Sequence, residues 1–194
     1  MTSVHDAVRA SELGVDAIGL VFASESPRCV AVERAIEICR ALPPFVSRVG
    51  LFMNQPASRI EEVLARVPLD WLQFHGSEAA AFCAGFGRPW IRAIAMGGAK
   101  WADELAQFST ADALLVDSHA PGGQGGSGQT FDWSCLPEMQ RPWILAGGLN
   151  PDNVAEACRR LVPSAVDVSS GVESRPGVKD DKLMKMFIEA VRNG

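Results

Sequence analysis

Short apolar runs rich in β-branched residues recur along this chain, with amphipathic stretches between them. The runs fall at 17–22, 46–53, 70–75, 90–96, 113–118, 143–149 and 165–173. Each is apolar nearly throughout instead of alternating, which is the pattern of parallel strands covered on both faces. The intervening spacing predicts helices at 3–13, 32–42, 57–67, 78–83, 100–108, 133–139, 151–161 and 181–192. Asn150 before Pro151, and Asp180 before Asp181, act as start signals for the last two.

Eight helices alternating with seven strands, helix first, predict one α/β domain over residues 1–194. The architecture expected is a (β/α)8 TIM barrel lacking its first strand, because closing such a barrel takes eight strands. An open doubly wound sheet accommodates seven and is the structural alternative.

Composition narrows the chemistry. A net charge of -5 with scattered Lys and Arg leaves no basic stripe for a nucleic acid backbone. No apolar run reaches the ~20 residues that span a bilayer. The five cysteines, Cys29, Cys39, Cys83, Cys135 and Cys158, are odd in number and contain no C-x-x-C pair, so neither a disulfide framework nor a zinc site is expected and a reducing cytosol fits best. Four of them fall on predicted helices as core filler. Only Cys29 lies in a loop near the candidate site.

Two glycine-bearing turns near the C-terminal end carry the clearest chemical signal. Ala146-Gly147-Gly148-Leu149 and Asp167-Val168-Ser169-Ser170-Gly171-Val172-Glu173 each close a strand and open a helix. Small residues there let backbone N–H groups approach an anion, and a helix N-terminus adds about half a positive charge. The loops after the last two strands of an α/β barrel are where a phosphate site most often forms. The stretch 121–130 contains G-x-G-x-x-G at Gly123, Gly125 and Gly128. It lacks the Walker lysine, having Gln129, and the acidic residue of a dinucleotide site, having Gly148, so it reads as a mobile loop over an active site.

Individual residues at strand mouths complete the list. Asp117 ends Ala113-Leu-Leu-Val-Asp and is placed either as a general acid or as a cap on the next turn. Arg28, in Ser26-Pro27-Arg28, is either a two-pronged anchor for a carboxylate or a solvated loop residue. His75 and Gln73 occupy another strand mouth in Gln73-Phe74-His75-Gly76, whereas His5 and His119 have no located partner. Asp167 either orients the second glycine turn or accepts local N–H groups.

Taken together, Ser26-Pro-Arg28, Val49-Gly50-Leu-Phe-Met-Asn54, Gln73-Phe-His-Gly76, Leu115-Val-Asp117-Ser118, Gly125-Gly-Ser-Gly128 with Phe131-Asp-Trp133, Leu145-Ala-Gly-Gly-Leu-Asn-Pro151 and the block from Asp167 to Gly177 resemble phosphoribosylanthranilate isomerase nearly end to end. The resemblance implies a (β/α)8 barrel of tryptophan biosynthesis. Its reaction is a cofactor-free and metal-free Amadori rearrangement of N-(5-phosphoribosyl)anthranilate to 1-(2-carboxyphenylamino)-1-deoxyribulose 5-phosphate. It makes Asp117 the general acid on the ribose ring oxygen and Arg28 the partner of the anthranilate carboxylate. It gives the phosphate to amides around Gly147, Gly148, Ser170 and Gly171, with His75, Gln73 and Asp167 as further site residues. Family members open with a first strand ending in Lys-Ile-Cys-Gly, Leu or Ile, and Thr, whose cysteine is the general base. Thr2 matches that threonine, so the base is expected ahead of it, outside this sequence. A non-catalytic phosphosugar-binding barrel is the alternative function. The expected partner is a small phosphosugar, with no nucleic acid and no membrane, and the expected state is a cytoplasmic monomer.

Overall fold

Seven parallel strands hydrogen-bond in the order in which they occur along the chain, β1-β2-β3-β4-β5-β6-β7, so every crossover turns the same way. In this computed structural model residues 1–97, 101–118, 136, 139 and 141–194 are described. The strands are β1 (Ala17–Val21), β2 (Ser47–Phe52), β3 (Trp71–Phe74), β4 (Trp90–Ala95), β5 (Ala113–Asp117), β6 (Trp143–Leu145) and β7 (Ala165–Val166). The helices are α1 (Val4–Leu13), α2 (Val32–Ala41), α3 (Ala57–Arg66), α4 (Ala80–Cys83), α5 (Trp101–Gln107), α6 (Val154–Leu161) and α7 (Asp181–Arg192). A doubly wound sheet reverses its strand order at a switch point. The unbroken order here sets that alternative aside, and the result is an α/β fold with a seven-stranded parallel sheet.

Alternate residues of the strands serve two cores. Ile18, Leu20, Phe52, Leu72, Phe74, Trp90, Ile94, Leu114, Val116 and Leu145 face the helices and form the larger cluster. Val49, Ile91, Ala93, Ala113, Leu115 and Ala146 point the other way and form one second cluster, although they come from segments as far apart as β2 and the residue just after β6. Side chains that distant along a flat sheet would not meet, so the sheet curls around them. Each large aliphatic chain buried this way contributes roughly 1.5–3 kcal/mol.

Local signals explain the element ends. Ser3 caps α1 by accepting the Asp6 N–H at 3.1 Å, and Gly14 stops the helix at φ 92°. Asp180 caps α7 by accepting the Leu183 N–H at 2.9 Å, as its position predicts. The start of α6 differs: Asn150 uses its side chain on the Asp152 and Asn153 N–H groups, and the helix begins at Val154 behind Asn153. Three further boundaries are corrected. The run 143–149 leaves the sheet at Leu145 because Gly147 and Gly148 take φ 81° and 66°. The run 165–173 pairs only through Val166. It continues as a 3-10 turn at Ser170–Val172 and an antiparallel hairpin of β8 (Glu173–Arg175) and β9 (Val178–Lys179). The helix expected at 78–83 starts at Ala80, since Glu78 turns inward. The loop 121–130, His119, Cys135 and most of the helix expected at 133–139 lie outside the described residues.

The register aligns the strand ends on one rim: Val21 pairs with Leu51, Phe52 with Phe74, Ala95 with Asp117, and Leu145 with Val166. The segments carrying Arg28, His75, Asp117, Gly147 and Asp167 all leave the sheet from that rim. β1 and β7 are the edges of the described sheet, and Met1 reaches into the β1 side by donating to the Gly19 carbonyl at 2.6 Å.

Candidate active site

Asp117 is the last residue of β5, half-buried, and its carbonyl accepts the Met96 N–H at 2.9 Å. Its side chain lies directly against the first glycine turn. A Cβ on Gly147 would stand 2.7 Å from Asp117 Oδ1 and overlap Ser118, so the close approach and the positive φ both require glycine. The second glycine turn packs on the first in the same way, because a side chain on Gly171 would overlap the Leu149 carbonyl. The two turns read from the sequence as one anion site are thus in van der Waals contact. Asn153 adds a brace, its Nδ2 donating to the Gly148 carbonyl at 3.0 Å and its Oδ1 accepting the Asn150 N–H at 2.9 Å. The brace ties the first turn to the start of α6, where backbone dipoles favour negative charge.

A cluster of charges borders these turns. Arg28 donates through Nε to Glu173 Oε1 at 2.9 Å and through Nη2 to Oε2 at 2.8 Å, joining residues 145 positions apart. Lys179 donates from Nζ to Glu173 Oε1 at 3.1 Å and to the Ser169 carbonyl at 2.7 Å. Burial pushes the Glu173 carboxyl up, but the Arg28 hydrogen bond and the Lys179 charge outweigh it and hold it below the usual carboxylate range. Asp167 behaves oppositely. Its surface is open to solvent, yet the protein packed around it pushes its carboxyl up; Lys179 opposes that, and Asp117 reinforces it. The Asp117 charge thus adds to burial in favouring the neutral form of Asp167.

On the other side of Asp117, Gln73 is buried and its Oε1 lies 2.6 Å from His75 Nε2. That contact orients the imidazole at the rim. Behind it, Glu78 accepts the Asn54 N–H at 2.6 Å, the Gly76 N–H at 2.9 Å and Arg92 Nη1 at 3.1 Å, with both charged side chains nearly inaccessible. Arg92 also stacks 4.3 Å over the Phe108 ring. This network clamps the loops after β2 and β3. Asn54, held at φ 56°, accepts the Ser77 N–H at 2.7 Å within it.

The structure therefore gathers Asp117, Gly147, Gly148, Ser170, Gly171 and Asp167 at adjoining strand ends, with Arg28 joined to the same group through Glu173. Gln73 on β3 and His75 just after it sit further along the rim, and His5 is exposed on α1. Glu173, Lys179, Glu78, Arg92 and Asn153 were not singled out by the pattern. Arg92 alone carried a signal, as the single charge in the apolar run Trp90-Ile-Arg-Ala-Ile-Ala95. Cys39 and Cys83 are buried under helices with thiols pushed up to about 11, as suits packing and not nucleophilic chemistry. Among the described residues no group of three or more His, Cys, Asp or Glu is placed to hold a metal ion, and no helix is long and apolar enough to cross a membrane.

A parallel sheet wound in sequence order, with its polar groups collected at the carboxyl ends of the strands, is the plan of the α/β-barrel enzymes. Residues 1–190 match the family model of N-(5'-phosphoribosyl)anthranilate isomerase. The isomerase of Stutzerimonas stutzeri is 48% identical over 195 residues, covering 100% of this chain and 94% of that protein. The crystal structure of phosphoribosyl anthranilate isomerase from Thermotoga maritima superimposes with a TM-score of 0.92 at 38% identity, covering 99% of this chain and 95% of the other. A structure of the isomerase in complex with reduced 1-(o-carboxyphenylamino)-1-deoxyribulose 5-phosphate superimposes with a TM-score of 0.88 at 36% identity, with 99% and 95% covered. The chain belongs to the N-(5'-phosphoribosyl)anthranilate isomerase family, enzymes of tryptophan biosynthesis.

Proposed function

We propose that this protein catalyses the Amadori rearrangement of N-(5-phosphoribosyl)anthranilate to 1-(2-carboxyphenylamino)-1-deoxyribulose 5-phosphate. The observation that carries the proposal is the contact of Asp117 with Gly147 and, through Leu149, with Gly171. It sets a carboxylic acid beside a paired glycine turn suited to a phosphate. The touching turns hold the 5-phosphate through backbone N–H groups around Gly147, Gly148, Ser170 and Gly171. Asp117 donates its proton to the ribose ring oxygen as the C1–O bond breaks, and the anilino nitrogen lone pair forms the C=N bond of an iminium ion. Loss of the C2 proton to a general base then gives an enolamine, which tautomerises to the ketone; atoms and electrons balance without a redox partner. Arg28 meets the anthranilate carboxylate, and His75 and Gln73 shape the neighbouring rim. Asp167 lies at the start of the second glycine turn and orients it.

The seven strands are read as those of an eight-stranded barrel, with a strand ahead of Thr2 filling the seam between β1 and β7 and carrying the general-base cysteine. The match covers 92–95% of the relatives' own length, which leaves room for one short strand. The decisive experiment assays the 194-residue chain beside a form extended by the in-frame upstream codons, with phosphoribosylanthranilate as substrate. The extended form is expected to turn over at least ~10²-fold faster, the usual worth of a general base. Equal rates would overturn the placement of the base. In the extended form, Asp117→Asn is expected to lose nearly all turnover while keeping ligand affinity, and wild-type turnover would refute the acid assignment. The second reading, a phosphosugar-binding barrel without turnover, is favoured by the helical placement and raised thiols of Cys39 and Cys83, and predicts ligand binding without turnover by the 194-residue chain.

A further inference from the structure

Glu173 has no part in the proton transfers, yet it accepts three charge-assisted hydrogen bonds at the rim. Arg28, Glu173 and Lys179 form a buried triad with side chains 14%, 4% and 7% exposed. Their hydrogen bonds run from the loop after β1, through Glu173, to Lys179 and on to the Ser169 carbonyl, immediately before the turn of Ser170 and Gly171. A carboxylate bound along the Nε–Nη2 edge of a guanidinium fixes the plane of that group. It thereby fixes the direction from which a second anion meets it.

The charge balance points the same way. Arg28 with Glu173 alone would be neutral and poorly suited to receive a carboxylate. With Lys179 the three groups sum to a formal charge of +1, which Asp167 near Lys179 partly offsets, so the triad admits an incoming carboxylate where the Arg28–Glu173 pair alone would not. Buried ion pairs are weak devices for stability, and apolar replacements often do as well, so stability alone is a poor account of three charges in this position.

We propose that Glu173 is a positioning residue for the carboxylate-bearing half of the ligand. It aims the Arg28 guanidinium and, through Lys179, sets the spacing between Arg28 and the phosphate turn. The proposal rests on the reading that Arg28 meets an aryl carboxylate while the glycine turns hold a phosphate.

The test is calorimetric binding of two probes to the full chain. One is reduced 1-(o-carboxyphenylamino)-1-deoxyribulose 5-phosphate, and the other is the same molecule without its carboxyl group. The chains compared are the wild type, Arg28→Ala, Glu173→Gln and the double variant Glu173→Gln with Lys179→Met. The wild type should prefer the carboxylate probe, and Arg28→Ala should lose that preference. Both Glu173 variants should bind the carboxylate probe roughly tenfold more weakly, about the worth of one charge-assisted hydrogen bond, while binding the other probe as the wild type does.

Glu173→Gln raises the triad's charge, and the double variant leaves it unchanged. Charge alone therefore predicts tighter or equal binding, where positioning predicts weaker binding in both. Equal or tighter binding of the carboxylate probe, with Arg28→Ala still indifferent to the carboxyl group, would overturn the role of Glu173 and leave that of Arg28 standing. A wild type indifferent to the carboxyl group would instead overturn the Arg28 reading itself. Failure of both Glu173 variants to fold would make the triad a structural device and end the proposal.

Discussion

Gly171→Ala is the sharpest perturbation of the rim, because its cost can be worked from one contact. Gly171 is not in the left-handed region, so alanine brings no backbone strain of its own. The added methyl, however, would overlap the Leu149 carbonyl and stand 3.1 Å from Asn150 Cα, both of them backbone atoms that cannot rotate away. The two turns must separate by about 1 Å, and overpacking of this kind costs roughly 1–3 kcal/mol. If the touching turns together hold the phosphate, a displacement of that size breaks the N–H bonds of one turn, and losing two bonds to a charged group at about 1.5 kcal/mol each weakens binding by about 10²-fold. Thermal unfolding with and without the reduced carboxyphenylamino-deoxyribulose phosphate reads this directly. At a ligand concentration of about 100 Kd the wild type gains roughly 2.7 kcal/mol, and a variant binding about 10²-fold more weakly gains about 0.4. For a chain of this size that is a Tm rise of about 5–11 °C against about 1 °C. Gly85→Ala is the control, since nothing lies within 4 Å of its added methyl. A Gly171→Ala protein with the full ligand-dependent rise would refute the reading of the two turns as one site.

Two further outcomes concern the interior. Burial raises the Cys39 and Cys83 thiols from 9.0 to about 11, so the folded chain favours the neutral form. The stability this gives is complete below pH 9 and is lost as the pH climbs towards 11, at about 1.4 kcal/mol per pH unit for each thiol. Urea unfolding from pH 7 to 10.5 should show that decline, with a shallower slope in Cys83→Ala; a flat profile would contradict it. Glu78→Gln strands the buried Arg92 charge and should cost about 3–5 kcal/mol by urea unfolding, with much of it recovered when Arg92→Met is added. A loss under 1 kcal/mol would mean that the clamp is not holding the loops.

The sheet was readable because parallel strands buried on both faces need continuous apolar runs, and the seven runs lie where the strands form. Their ends were less legible. Val168 and Val172 extend the apolar run past Asp167, but the chain leaves the sheet there to bring Gly171 against Leu149, a contact between segments that no local pattern encodes. The hairpin of β8 and β9 was missed for the same reason. Glu173-Ser-Arg-Pro-Gly-Val-Lys179 reads as a polar turn, and what orders it comes from far away: Thr2 bonding the Gly177 carbonyl, Asp6 accepting the Lys179 N–H at 3.1 Å, and Arg28. Asp117 was legible because a carboxylate ending an apolar strand has few roles. Glu78 was not, since a glutamate before Ala79 and Ala80 looks like any first-turn acid until its three partners are seen.

The helix-facing layer also contains a ladder of rings. Phe22 stacks on Phe52 at 5.3 Å between centroids, Phe52 meets Phe74 at 6.2 Å, Phe74 meets Trp90 at 6.5 Å, and Trp90 meets Phe108 at 6.4 Å. The chain contains no tyrosine, so its near-ultraviolet absorption comes from tryptophan and phenylalanine alone. Trp90, fixed edge-on between two phenylalanines, is thus a chiral chromophore embedded where the sheet meets its helical jacket. Circular dichroism near 290 nm sums over the chain's five tryptophans, and the share lost in Trp90→Phe follows the melting of that jacket.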